Sequence, residues 1–150
     1  MLILVLGKKF KMKFRVWNKR ERFSCYSDDD FFIDSYGDLF ISDRDGLIPV
    51  SNDYILEFSS GIKDINGKEI YEGDIVKVTD NEDNQSFHLV EFASDVSYPA
   101  FDMAPSLHLE SNSFSYAIFE DFKIEVVGNI HENPELLEKI NQEQQHERKQ

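Results

Sequence analysis

The chain predicts a mainly β fold, β-rich α+β in class, on three observations. Short runs of aromatic and β-branched residues recur between turn-forming Asn, Asp, Gly and Ser clusters. The dipeptide Asn66-Gly67 is a tight-turn signal, and Gly73-Asp74 then opens the β-branched run Ile75-Val76-Lys77-Val78. Helical character is confined to the segment after Asn133. At 150 residues, with 41% hydrophobic residues, 13 Phe and 6 Tyr, the chain can fill the core of one domain or of two very small ones.

Taken in order, Phe14-Arg15-Val16-Trp17 alternates as a strand, Asn18 to Arg22 is a polar turn, and Phe23 to Tyr26 returns. Asp28-Asp29-Asp30 reads as a solvated loop. Phe31-Phe32-Ile33 and Leu39-Phe40-Ile41 flank a turn over Asp34 to Asp38. A further turn follows at Asp43 to Gly46, and Tyr54 to Phe58 is another strand. After the Asn66-Gly67 hairpin, expected as a type I′ turn, strands are predicted at Asp74 to Thr79, Phe87 to Phe92, Tyr98 to Met103, Phe114 to Phe119 and Ile124 to Ile130. Five short strands at this spacing suggest a small barrel, SH3-like by fold analogy. Asn133 can cap a helix that begins at Pro134 and presents Leu136, Leu137 and Ile140 as one apolar stripe, with fraying expected after Asn141. The expected organisation is therefore an extension over 1–11, a β-rich unit over 12–60, an SH3-like barrel over 61–132, and a helix with a frayed tail over 133–150.

Three stretches carry a family resemblance: MKFRVWN (Met12 to Asn18), GIKDINGKEIYEGDIV (Gly61 to Val76) and IEVVGNIHENPELLE (Ile124 to Glu138). On these the chain resembles the YopX family of phage and prophage proteins, which implies relatives but no assigned activity. The motif residues Gly61, Asp64, Asn66, Gly67, Ile70, Tyr71, Gly73, Asp74, Gly128, Asn129, Asn133 and Pro134 are expected to serve the backbone rather than chemistry. Since the resemblance begins at Met12, residues 1–11 read as an extension able to add an edge strand or to pack on a partner. Their apolar start, Leu2 to Leu6, is too short for a signal peptide or a membrane span.

Charge is divided sharply along the chain. Through Arg22, eight basic residues face Glu21 alone, giving +7, and from Phe23 onward the charge is −20. A basic arm lying on the acidic body, of its own chain or of a neighbour, is the first reading. One alternative is an acidic mimic or regulator of a host nucleic-acid-binding protein. The other is nucleic-acid binding through the arm, for which Lys13, Arg15, Trp17, Lys19, Arg20 and Arg22 form the candidate surface, with Phe14 and Val16 turned to the core and Trp17 and Arg15 to the other face.

Signals for chemistry are weak. The Asp28 to Asp38 carboxylates and the Asp64 to Gly67 run lack the ligand spacing of a calcium loop. The four histidines His88, His108, His131 and His146 have neither HExxH nor CxxC partners, so no metal is expected. Glu69, Glu72 and Asp74 are carboxylates within the strongest motif, with solvation and turn capping as their expected roles. No phosphate loop or nucleophile elbow is present. Cys25, the single cysteine, cannot form an internal disulfide and points to a reducing compartment, the bacterial cytoplasm. The expectation is a non-enzymatic protein without cofactors or membrane contact, which binds a protein partner or its own copies.

Overall fold

The computed structural model describes residues 2–5, 8–11, 13–26, 31–93, 100–108 and 110–147. Strands dominate, in antiparallel sheets, with two helices. In order they are β1 (Leu2–Val5), β2 (Lys8–Lys11), β3 (Phe14–Asn18), β4 (Phe23–Tyr26), β5 (Phe31–Ile33), β6 (Leu39–Asp43), β7 (Gly46–Pro49), β8 (Tyr54–Lys63), β9 (Glu69–Tyr71), β10 (Asp74–Thr79), β11 (Gln85–Ala93), β12 (Ala100–Ala104), α1 (Ser113–Phe119), β13 (Lys123–Asn129) and α2 (Pro134–Glu147). The chain divides between Ser59 and Ser60 into two compact units. The Asp28-Asp29-Asp30 loop and the first two residues of the strand expected at Tyr98 lie outside the described residues.

In the first unit, β1 and β2 form a two-stranded sheet, β3 pairs with β4 and β8, and β5-β6-β7 form a three-stranded meander. Its core is Phe14, Val16 and Phe31, with Cys25, Ile33, Leu39, Ile41, Leu56 and Phe58 packed on it. Alternation along β5 and β6 follows the pleat: Phe31, Ile33, Leu39 and Ile41 turn inward, which sends Phe32 and Phe40 to the opposite face. β7 was not foreseen beyond its turn, because Gly46 and Pro49 are poor strand formers.

In the second unit the sheet order is β12-β11-β10-β13, and Ile70, Val76, Val78, Val90, Met103, Phe114, Ala117 and Ile124 form the core. The fifth strand expected over Phe114 to Phe119 is instead α1. The Asn112 side chain accepts from the Ser115 amide at its start, and burying Phe114 and Ala117 requires positions three apart on one face. α2 also runs to Glu147, beyond the expected fraying point, with Ile140 buried.

The Asn66-Gly67 turn differs from expectation too. Gly67 alone of the pair takes positive φ (+79°), so the hairpin is a longer loop closed by Asp64 N to Lys68 O (2.8 Å) and Gly67 N to Asp64 O (2.9 Å), not a type I′ turn. The Asp64 carboxylate selects this form by accepting the Asn66 and Lys68 amides, both at 2.9 Å. The same device recurs at Asp34, whose carboxylate takes the Tyr36 and Asp38 amides with Gly37 at φ +90°. It recurs again at Asp80, which takes the Glu82 and Asn84 amides with Asp83 at φ +64°. All three carboxylates are thus occupied with backbone amides.

Candidate interaction surface

The motif residues fall almost entirely into one construction in the second unit. Asp64 is buried and, beyond its own turn, its Oδ2 accepts the amide of Val126 on β13 (3.0 Å), while Ile65 N donates to Ile124 O (2.9 Å). Burial works against ionisation of Asp64, but the amides of Val126, Lys68 and Asn66 and the Lys68 charge outweigh it and hold the carboxyl below its ordinary value. Asp74, fully buried, accepts the Tyr71 amide at 2.9 Å and so shapes the turn in which Gly73 takes φ +82°. Gly73 then donates to Val90 O and accepts from Ile130 N, tying the turn to both neighbouring segments.

Asn129 ends β13 by accepting the His131 and Glu132 amides, both at 2.9 Å. Asn133, just before Pro134, returns its Oδ1 to the Asn129 amide at 3.3 Å. Gly128 is required by this fold-back. A Cβ there would lie 2.4 Å from Asn133 Oδ1 and 3.0 Å from Asn133 Cβ, too close to be relieved by moving the side-chain tip alone. Ile70 and Tyr71 are buried, whereas Gly61 and Asn66 are exposed. The polar motif residues hold backbone, and none of them lines either of the two cavities described below.

The basic surface read from the sequence does not form as a unit. Arg15 and Trp17 are each 4% exposed, since β3 is buried on both faces rather than one. Arg15 Nε donates to Glu57 Oε2 at 2.6 Å across the β3-β8 pair, which satisfies a guanidinium that would otherwise be costly to bury. The expected exposed pairing of Trp17 with Arg15 is therefore corrected. Lys13, Lys19, Arg20 and Arg22 are exposed, but Lys19 Nζ donates to Asn52 O (2.7 Å) and Arg20 lies 3.8 Å from Asp53.

A Ser-His pair emerged that the scattered histidines had not signalled. His88 Nε2 lies 2.7 Å from Ser86 Oγ and its Nδ1 lies 2.6 Å from Pro105 O. Ser86 and His88 share a strand face at i, i+2 spacing, which sequence could have shown; the Pro105 carbonyl could not be foreseen. The imidazole is 3% exposed, and burial pushes its pKa below the ordinary value, against the raising effects of the Pro105 carbonyl and of the Glu143 and Asp102 charges. It acts as a staple between β11 and the segment after β12. The two cavities described open elsewhere: one of about 430 Å³ is lined by Ile62, Phe92, Phe101, Phe114 and Ile118, and one of about 370 Å³ lies beside Leu39, Phe40 and Tyr54. Among the described residues no group of three His, Cys, Asp or Glu is placed to hold a metal ion, and no helix is long and apolar enough to cross a membrane.

An apolar surface does form on the outer face of the β5-β6-β7 sheet. Phe32 pairs with Phe40 and Phe40 with Pro49, making one cross-strand row; Leu47, opposite Ser42, lies beside it. Phe32 is 50% exposed and Leu47 58%. The turns at either end of the sheet carry Asp34 and Asp38, and Asp43 and Asp45, all exposed.

The family model described as YopX protein matches residues 13–138. The chain belongs to the YopX family. Among solved structures it is similar to protein EF1440 from Enterococcus faecalis, with a TM-score of 0.55 and 27% identity over 85% of this chain and 99% of that one. It is also similar to protein YopX from Bacillus subtilis, with a TM-score of 0.50 and 26% identity over 83% of this chain and 96% of that one. No curated protein matches. Two of the stretches that carry the YopX resemblance in the sequence are the two that Asp64, Ile65 and Gly73 join in space.

Proposed function

We propose that this YopX protein is a non-enzymatic accessory component of a phage or prophage, acting in the bacterial cytoplasm by binding another protein or its own copies. The observation that carries the reading is the apolar row Phe32-Phe40-Pro49 with Leu47, in which Phe32, Pro49 and Leu47 are exposed and Phe40 is partly buried. Large apolar side chains aligned across three strands and left partly in water cost free energy that a binding surface recovers. Pro49 removes a donor from strand β7 at the sheet's edge, which disfavours strand addition and leaves docking on the face as the favoured mode. The acidic turns around the row favour a partner with a basic rim.

The test is cross-linking and affinity capture with the wild type and a Phe32→Asp/Leu47→Asp variant. Both positions are solvent-facing, so the variant is expected to keep its thermal stability and lose the captured species. Equal capture by both proteins would contradict the reading.

A further inference from the structure

We infer that the occupant of this face is the β1-β2 hairpin of a second copy of the chain; the inference rests on the face proposed above. Three features of the chain meet here. The β1-β2 sheet pairs with no other strand among the described residues, and a lone two-stranded hairpin is marginal in water unless a surface supports it. Its composition matches the face: β1 is Leu-Ile-Leu-Val, and β2 is Lys-Lys-Phe-Lys in a register that sets Ile3 opposite Phe10, and Leu2, Leu4 and Val5 opposite Lys11, Lys9 and Lys8. An apolar strand beside three lysines complements an apolar row between acidic turns.

The dimensions agree. Four residues of strand extend about 13 Å, and three strands span about 10 Å from first to last. Within its own chain the hairpin leaves Phe32 and Leu47 half exposed, so the face remains available to another copy. Two copies exchanging hairpins would form a closed twofold dimer in which the contact is made twice. The three lysines of β2 then meet the acidic turns between copies.

Sedimentation velocity on the full chain tests this. The wild type is expected to be dimeric at about 50 mM salt and to dissociate towards about 500 mM, where screening is strong. A Lys8→Glu/Lys9→Glu/Lys11→Glu variant and an Asp38→Lys/Asp45→Lys variant should each be monomeric alone, because arm and face then carry like charge. Mixed, they should form a heterodimer, since each arm again meets a face of opposite sign. A wild type that is monomeric at every salt, or charge variants that stay dimeric alone or fail to pair, would overturn the inference. Loss of capture by Phe32→Asp/Leu47→Asp would still support the face as a binding surface in that case, so the two claims fail separately.

Discussion

Asp64 and Val126 are 62 residues apart in sequence, yet the Asp64 carboxylate accepts the Val126 amide at 3.0 Å. One side chain thereby closes its own turn and fixes the neighbouring strand β13. Asp64→Ala removes the acceptor for three amides, and we expect a loss of about 2–3 kcal/mol in the second unit. Because the folded pKa lies below the ordinary 3.8, this contribution is present above that pH and is lost as pH falls through the folded value. Urea unfolding at neutral pH measures the loss, and a change under about 0.5 kcal/mol would show that the three amides find other partners.

The three Asp-led turns make a prediction of opposite sign. Gly37 and Gly67 occupy the left-handed position in two of them, and Asp83 occupies it in the third. Asp83→Gly should therefore stabilise by up to about 1 kcal/mol, while Gly67→Ala should cost a similar amount. Parallel thermal melts of the two variants decide it, and destabilisation by Asp83→Gly would show that the Asp83 side chain has a role beyond its backbone.

At Gly128 the constraint is contact rather than φ. Gly128→Ala drives a methyl group into Asn133 and should cost about 1–3 kcal/mol by displacing the link between β13 and α2. Adding Asn133→Ala should recover part of that loss, which a double-mutant cycle would show as coupling between the two positions.

His88 gives the acid limb of stability. It is buried with its pKa below 6.5, so the unfolded chain binds more protons than the folded one once pH drops below about 6.5. Stability is therefore full above 6.5, declines as pH falls from there and levels off below the folded value. Glu143 and Asp102 moderate the decline by favouring the charged ring. His88→Gln should lower the melting temperature at neutral pH yet flatten its dependence as pH falls below about 6.5. An unchanged slope would place the dependence on other groups.

Short-range patterns carried much of this fold into the sequence, and long-range pairing carried little. The Phe31 to Ile41 hairpin was legible because its inward and outward residues alternate strictly and its turn holds Gly and Asp. Phe114 to Phe119 was misread because its alternating aromatic and polar residues fit a strand as well as a short helix, and only the Asn112 cap and buried Ala117 separate the two. Arg15 and Trp17 looked exposed because alternation says which residues share a face, not whether that face is covered; Glu57, 42 residues away, supplies the missing partner. The apolar row was hidden for a related reason, as β7 had to be recognised before Phe32, Phe40 and Pro49 could be aligned.

The central claim is that the outer face of β5-β6-β7 is the working surface, and sedimentation velocity of the wild type beside Phe32→Asp/Leu47→Asp at about 50 mM salt tests it most directly. The account predicts a dimer that the substitutions convert to a monomer with its secondary structure retained by circular dichroism. A variant that stays dimeric beside a dimeric wild type would contradict it.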